Sequence, residues 1–239
     1  MGRPYYSPSA SRATIRSFRE RAYALDGAVL AATGISDHEA FVLAVEGGFP
    51  ESSVGASNGA DAPPAFIGGE ARVSAPSAGY AHVAVSFPSP ASSALASVLK
   101  HCLNLSGGGA ASGFVGPGVV GAYVGADSAG VISAVDSLLS SLSSVPSSAI
   151  AERAIRLAKA EALFGLDGGS QNLADAMTKS ILEAGTFGGA SGVAGAYDSI
   201  TAADVSAAFG AMVKNNPALA AVGDIASVPY HVTVASNFS

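Results

Sequence analysis

From Tyr80 to Phe87 the chain alternates, with Ala81, Val83, Val85 and Phe87 on one face. A period of two is the pattern of a strand with one buried face. Gly69 to Ala75 alternates more weakly and predicts a second strand, joined to the first as its neighbour through Pro76 to Gly79. Val119 to Gly125 and Ala218 to Val222 are short apolar runs of strand length. So is Ala28 to Thr33, which Gly34 ends. The other apolar segments repeat at helical spacing. They predict helices over 14–23, with Ile15, Phe18 and Ala22 on one side, and over 38–46, with Phe41, Val42 and Val45 inward. Further helices are predicted over 92–103 (Leu95, Val98, Leu99, Cys102) and 129–142 (Ile132, Val135, Leu138, Leu139). Three more follow over 149–164, 171–184 and 202–213. Ser36 or Asp37, Ser147 or Ser148, and Thr201 stand where a short side-chain oxygen satisfies first-turn amides.

Glu51 to Pro64 interrupts this order. It is rich in Ser, Gly, Ala and Pro, holds almost nothing to bury except Val54, and reads as a linker. Runs of strands followed by runs of helices predict an α+β fold with a mostly antiparallel sheet packed by helices, preceded by a helix–strand–helix segment. The division expected is 1–50, a linker over 51–67, and 68–239.

Composition narrows the function. The net charge is −6 and charged residues are 13 % of the chain, so the clustered cations of a nucleic-acid surface are missing. Arg3, Arg12, Arg16, Arg19 and Arg21 nevertheless precede or flank the first acid, Glu20. That bias fits either a mitochondrial targeting segment or the basic face of a helix. The single cysteine, Cys102, cannot form an internal disulfide. No run of about 18 apolar residues predicts a membrane span. Few charges with mild hydrophobicity suggest a surface partly covered by partners.

Candidate chemistry is sparse. His38, His82, His101 and His231 fall on separate predicted elements, and none completes a paired-histidine zinc motif. No catalytic, metal or cofactor-binding residue is therefore assigned. Gly107, Gly108, Gly109, Gly113, Gly116 and Gly118 form a glycine-rich loop over 106–118. The loop follows a helix, and Lys100 lies on the wrong side for a phosphate-binding loop. Glu152 and Arg156, four residues apart in the favourable order, read as helix support.

Several short motifs in order resemble the pitrilysin-like (insulinase) metallopeptidase family. The branch they resemble holds the α subunit of the mitochondrial processing peptidase and core protein 2 of the cytochrome bc1 complex. The motifs are Gly2-Arg3-Pro4, Phe18 to Tyr23, Val29 to Gly34, and Asp37-His38-Glu39 opening a helix. Phe66-Ile67-Gly68-Gly69-Glu70 resembles the opening of the family's second domain, and Tyr80 to Val85 its second strand. Ser97-Val98-Leu99 precedes the glycine-rich loop, and Pro217 to Asp224 resembles the terminal strand.

The resemblance implies that residues 1–50 are the end of a first peptidase-like domain and that 68–239 are the second. The stretch holding the zinc motif in active relatives lies earlier than this segment. The implied role is a non-catalytic structural subunit of respiratory complex III, at the mitochondrial inner membrane on the matrix side. Its implied partners are a β-type core protein or processing peptidase β subunit, and other complex III subunits. Either a separate chain supplying the rest of the first domain or a sequence that is a fragment of a longer one is also implied, since a lone strand leaves both edges unpaired. The alternative is presequence recognition in a processing peptidase, with the six glycines forming the presequence loop. After Gly118 the chain runs straight into Val119, where the family has a further helix and strand.

Overall fold

The computed structural model describes residues 11–23, 28–49, 65–109 and 111–238. The chain divides into two compact units. One holds residues 1–63 with 165–187, and the other 64–164 with 188–239.

The second unit is built on a five-stranded sheet: β1 (Gly69–Ser74), β2 (Tyr80–Pro88), β3 (Ser112–Gly116), β4 (Val119–Asp127) and β5 (Ala218–Gly223), in the order β1-β5-β2-β4-β3. Only β1 and β5 run parallel, from Gly69 beside Ala218 to Ser74 beside Gly223. The β2–β5, β2–β4 and β3–β4 pairs are antiparallel. The expected α+β class with a mostly antiparallel sheet is what the chain adopts.

The alternation along β2 decides which face is covered. Ala81, Val83, Val85 and Phe87 are fully buried. The same core takes in Val98, Leu99 and Cys102 of α3 (Ser93–Ser106) and Val135, Leu138 and Leu142 of α4 (Val131–Ser143). α5 (Ser148–Asp167) has only alanines fully buried, Ala151, Ala154 and Ala158, with Ile150 and Ile155 half-buried against the core. α7 (Gly189–Asp198) adds Tyr197, and α8 (Ala202–Val213) adds Val205, Phe209 and Met212. On the opposite face Val73, Tyr80, Tyr123 and Val222 are exposed. Burying one full Phe or Leu side chain contributes about 1.5–3 kcal/mol, so this one-sided core carries the unit's stability.

Four expectations need correction here. β1 and β2 are not neighbours, because β5 lies between them. The connection Ala75–Gly79, with a 3-10 turn over Pro76–Ala78, arches around the end of β5. Ala75 N–H donates to Gly223 O (2.8 Å), and Asp224 N–H donates to Tyr80 O (2.9 Å). A two-residue turn would force adjacency, whereas this longer one leaves the roughly 10 Å that two strand spacings need. Gly223 makes the clasp possible: its φ is +107°, and a Cβ there would lie 2.1 Å from Tyr80 O.

The second correction concerns the glycine-rich loop. Ser112–Gly116 is strand β3, paired to β4 through a turn at Pro117-Gly118 in which Gly118 has φ +72°. Pro followed by a positive-φ Gly is a type II turn signature. The third is Ile132, expected inward but 51 % exposed, while Val131 is buried in its place. The fourth is 28–33, which forms no strand; no strand is described in its unit to complete a ladder.

α7 and the short C-terminal α9 (His231–Ala235) were not expected. Three glycines lie within α7, so local propensity reads it as loop. It is held by burial of Tyr197 and by Lys159 of α5, whose Nζ lies 2.6 Å from Asp198 Oδ1.

The first unit contains α1 (Arg12–Ala22), α2 (His38–Gly48) and α6 (Ser170–Ala184). Asp37 caps α2 by accepting from Ala40 N–H at 3.0 Å. Neither α2 nor α6 has a buried residue. Thr33 Oγ1 donates to Ser170 O at 3.3 Å within this unit.

Candidate functional site

The six glycines singled out in the sequence do not form one loop. Gly107 ends α3, donating its N–H to Leu103 O at 2.9 Å. Gly108 and Gly109 turn the chain with φ of +57° and +86°. Ala110 lies outside the described residues. Gly113 and Gly116 are in β3, and Gly118 is in the hairpin turn.

Gly113 is there because α3 leaves no room. A Cβ would lie 2.4 Å from Lys100 O. Asn104 Oδ1 accepts the Gly113 N–H at 2.6 Å, satisfying an amide on the outer edge of the sheet.

Gly107 and Gly108 line a shallow polar hollow of about 520 Å³ together with Ser106 of α3 and the Asp136, Ser137, Ser140, Ser141 and Ser144 side of α4. The serine hydroxyls donate back to helix carbonyls, as Ser140 does to Asp136 O at 2.8 Å. Their oxygens keep lone pairs for an incoming donor. Asp136 adds a carboxylate that reading 106–118 alone did not reveal. The hollow thus offers hydrogen-bond acceptors and one negative charge.

The histidines lie apart, on α2, β2, α3 and α9. Among the described residues no group of three or more His, Cys, Asp or Glu is placed to hold a metal ion. His82 on the open sheet face bonds Tyr123 Oη through Nδ1 at 2.5 Å, with the Tyr80 ring 5.0 Å away. His101 Nε2 lies 2.7 Å from Glu161 Oε2, and Lys100 Nζ lies 2.6 Å from the same oxygen. This cluster ties α3 to α5. The Lys100 ammonium, aided by His101, holds the Glu161 carboxyl below the usual carboxylate range, against a smaller opposing effect of desolvation. α5 thus spends its charges on α3 and α7, which the Glu152/Arg156 spacing did not foretell.

A second polar cluster fastens the C-terminal segment. Arg72 of β1 donates to Ile225 O (2.9 Å), Val228 O (3.0 Å) and Pro229 O (3.2 Å). It also pairs with Glu70 at 2.8 Å and stacks on the Tyr230 ring at 4.6 Å. The Arg72 hydrogen bond is the main reason the Glu70 carboxyl sits below its ordinary range. Cys102 is fully buried, and burial pushes its thiol up to about 12. A thiol so raised holds no thiolate near neutrality and is not a nucleophile.

No helix among the described residues is long and apolar enough to cross a membrane. No family model matches the sequence. No curated protein matches it either. Among solved structures, the fold is similar to a chain of complex III2 from Candida albicans with Inz-5 bound. The TM-score is 0.67 at 16 % sequence identity, over 84 % of this chain and 56 % of that one. The present chain therefore spans little more than half the length of the one it matches. At that identity the likeness establishes a shared fold.

Proposed function

We propose that this chain is a non-catalytic structural subunit of mitochondrial respiratory complex III (ubiquinol–cytochrome c reductase), of the core-protein-2 type, on the matrix side of the inner membrane. The observation that carries the reading is the fold likeness to a complex III chain over 84 % of this sequence. The short motifs from Phe66 to Glu70 and from Pro217 to Asp224 support it independently. They coincide with the start of β1 and with β5, the two strands that pair in parallel. On this reading residues 1–50 are the end of a first peptidase-like domain, and 68–239 are the second. The partners are a β-type core protein and other complex III subunits.

Presequence recognition is the second reading, and Asp136 beside the Gly107-Gly108 turn is the observation that favours it, because an Arg-rich presequence needs carboxylates. Native isolation under mild detergent, followed by mass spectrometry, tests the first reading. Co-isolation with cytochromes b and c1 is the expected result. A monomer free of both overturns it. Asp136→Asn in the assembled complex tests the second: unchanged presequence cleavage removes it.

A further inference from the structure

α1 lies in the segment read as the end of a first domain, and its surface is unusual for an exposed helix. Ile15 is 60 % exposed, Phe18 53 % and Tyr23, just past its end, 73 %. The Phe18 and Tyr23 rings meet edge to face at 6.4 Å. Helical spacing puts Ile15 and Phe18 on one stripe. Arg12, Arg16, Arg19 and Arg21 share the helix with a single acid, Glu20, in a chain whose net charge is −6. Arg16 uses Glu20 at 3.0 Å and still has 74 % of its side chain in water. Ser11 caps the first turn, accepting from Thr14 N–H at 3.1 Å.

We infer that α1 is an interfacial helix that docks on an anionic lipid surface. The charge is complementary, and each arginine near such a surface contributes about 1 kcal/mol. An apolar stripe flanked by arginines is the pattern of a helix lying in the interface plane, its cations reaching up to the headgroups. Tyr23 supplies an aromatic ring with a polar tip, the residue type that favours the headgroup boundary. Eleven residues extend about 16 Å, far short of a bilayer core, so the helix lies on the surface and does not span it. An acidic protein surface would satisfy the arginines but would not require the paired exposed rings.

The inference stands on α1 alone and survives failure of the complex III reading. The test is co-sedimentation of the full chain with phosphatidylcholine vesicles, with and without phosphatidylglycerol. Binding only to the anionic vesicles, weakened by salt, is expected. Replacing Arg12, Arg16 and Arg19 together by Gln lowers partitioning about a hundredfold. Replacing all three by Lys preserves it. Ile15→Ser with Phe18→Ser lowers it on the order of tenfold. All these positions are exposed, so the thermal transition of the sheet-containing unit stays in place. Equal binding to neutral vesicles, no loss in the Gln variant, or capture by immobilised polyglutamate without vesicle binding overturns the inference.

Discussion

The two units use apolar residues in opposite ways. In the sheet-containing unit Val83, Val85, Phe87, Leu99, Leu138 and Phe209 have almost no exposed surface. In the other, Leu43 is 69 % exposed and Leu182 63 %, and neither α2 nor α6 buries a residue. Both units have helices with sound caps and amphipathic faces. The difference is the sheet: a flat apolar layer lets several helices share one core, and among the described residues the other unit has no strand. Caps and propensity set where a helix begins, and tertiary burial sets how much it stabilises.

The largest test of this contrast is a matched pair. Phe87→Ala lowers unfolding free energy by about 3–5 kcal/mol, because it opens a cavity in a filled core. Leu43→Ala changes it by no more than about 0.5 kcal/mol. Urea midpoints measure both, and a costly Leu43→Ala would break the contrast by showing that α2 is covered in solution. Gly223→Ala comes next, at about 3 kcal/mol, from left-handed backbone strain and collision with Tyr80 O. Hydrogen exchange of the β1 and β5 amides should rise with it. Arg72→Met follows at about 2 kcal/mol, since three carbonyls lose a charged donor. The exchange gain there should be confined to 224–238.

The smallest effect is electrostatic. Glu161 has its folded-state pKa depressed below the ordinary 4.5 by Lys100 and His101. Its contribution is therefore fully present above about pH 4.5, and it is lost as pH falls through the lowered folded value. Glu161 is half exposed, so the contribution stays under about 1 kcal/mol. Stability–pH profiles of the parent and Glu161→Gln should converge in acid and separate above pH 4.5.

Much of the fold was legible because period and burial agree. The β2 alternation and the α3 stripe needed no tertiary information, and the Thr201 cap read for α8 closes a full capping box with Asp204. What was not legible depended on distant chain. β3 looked like loop because glycines dominate it, yet Gly113 is required by the Lys100 carbonyl pressing on it. α7 looked like loop for the same reason, until Tyr197 is seen inside the core. The glycine candidates were right as a cluster in sequence and wrong as one loop in space. The Asp136 carboxylate came from another helix, which no local window reports.

The position of β5 governs the order in which the molecule can be made. β2, β3 and β4 all lie within residues 80–127 and can zip together as the chain emerges from the ribosome. β1 is synthesised before them all, but its one partner among the described strands, β5, is residues 218–223. A nascent chain paused or cut after α8 would hold the three strands β2-β4-β3 with β1 stranded and the β2 edge bare, a template for pairing with other chains. β5 and the segment that Arg72 grips are thus the step that commits the domain.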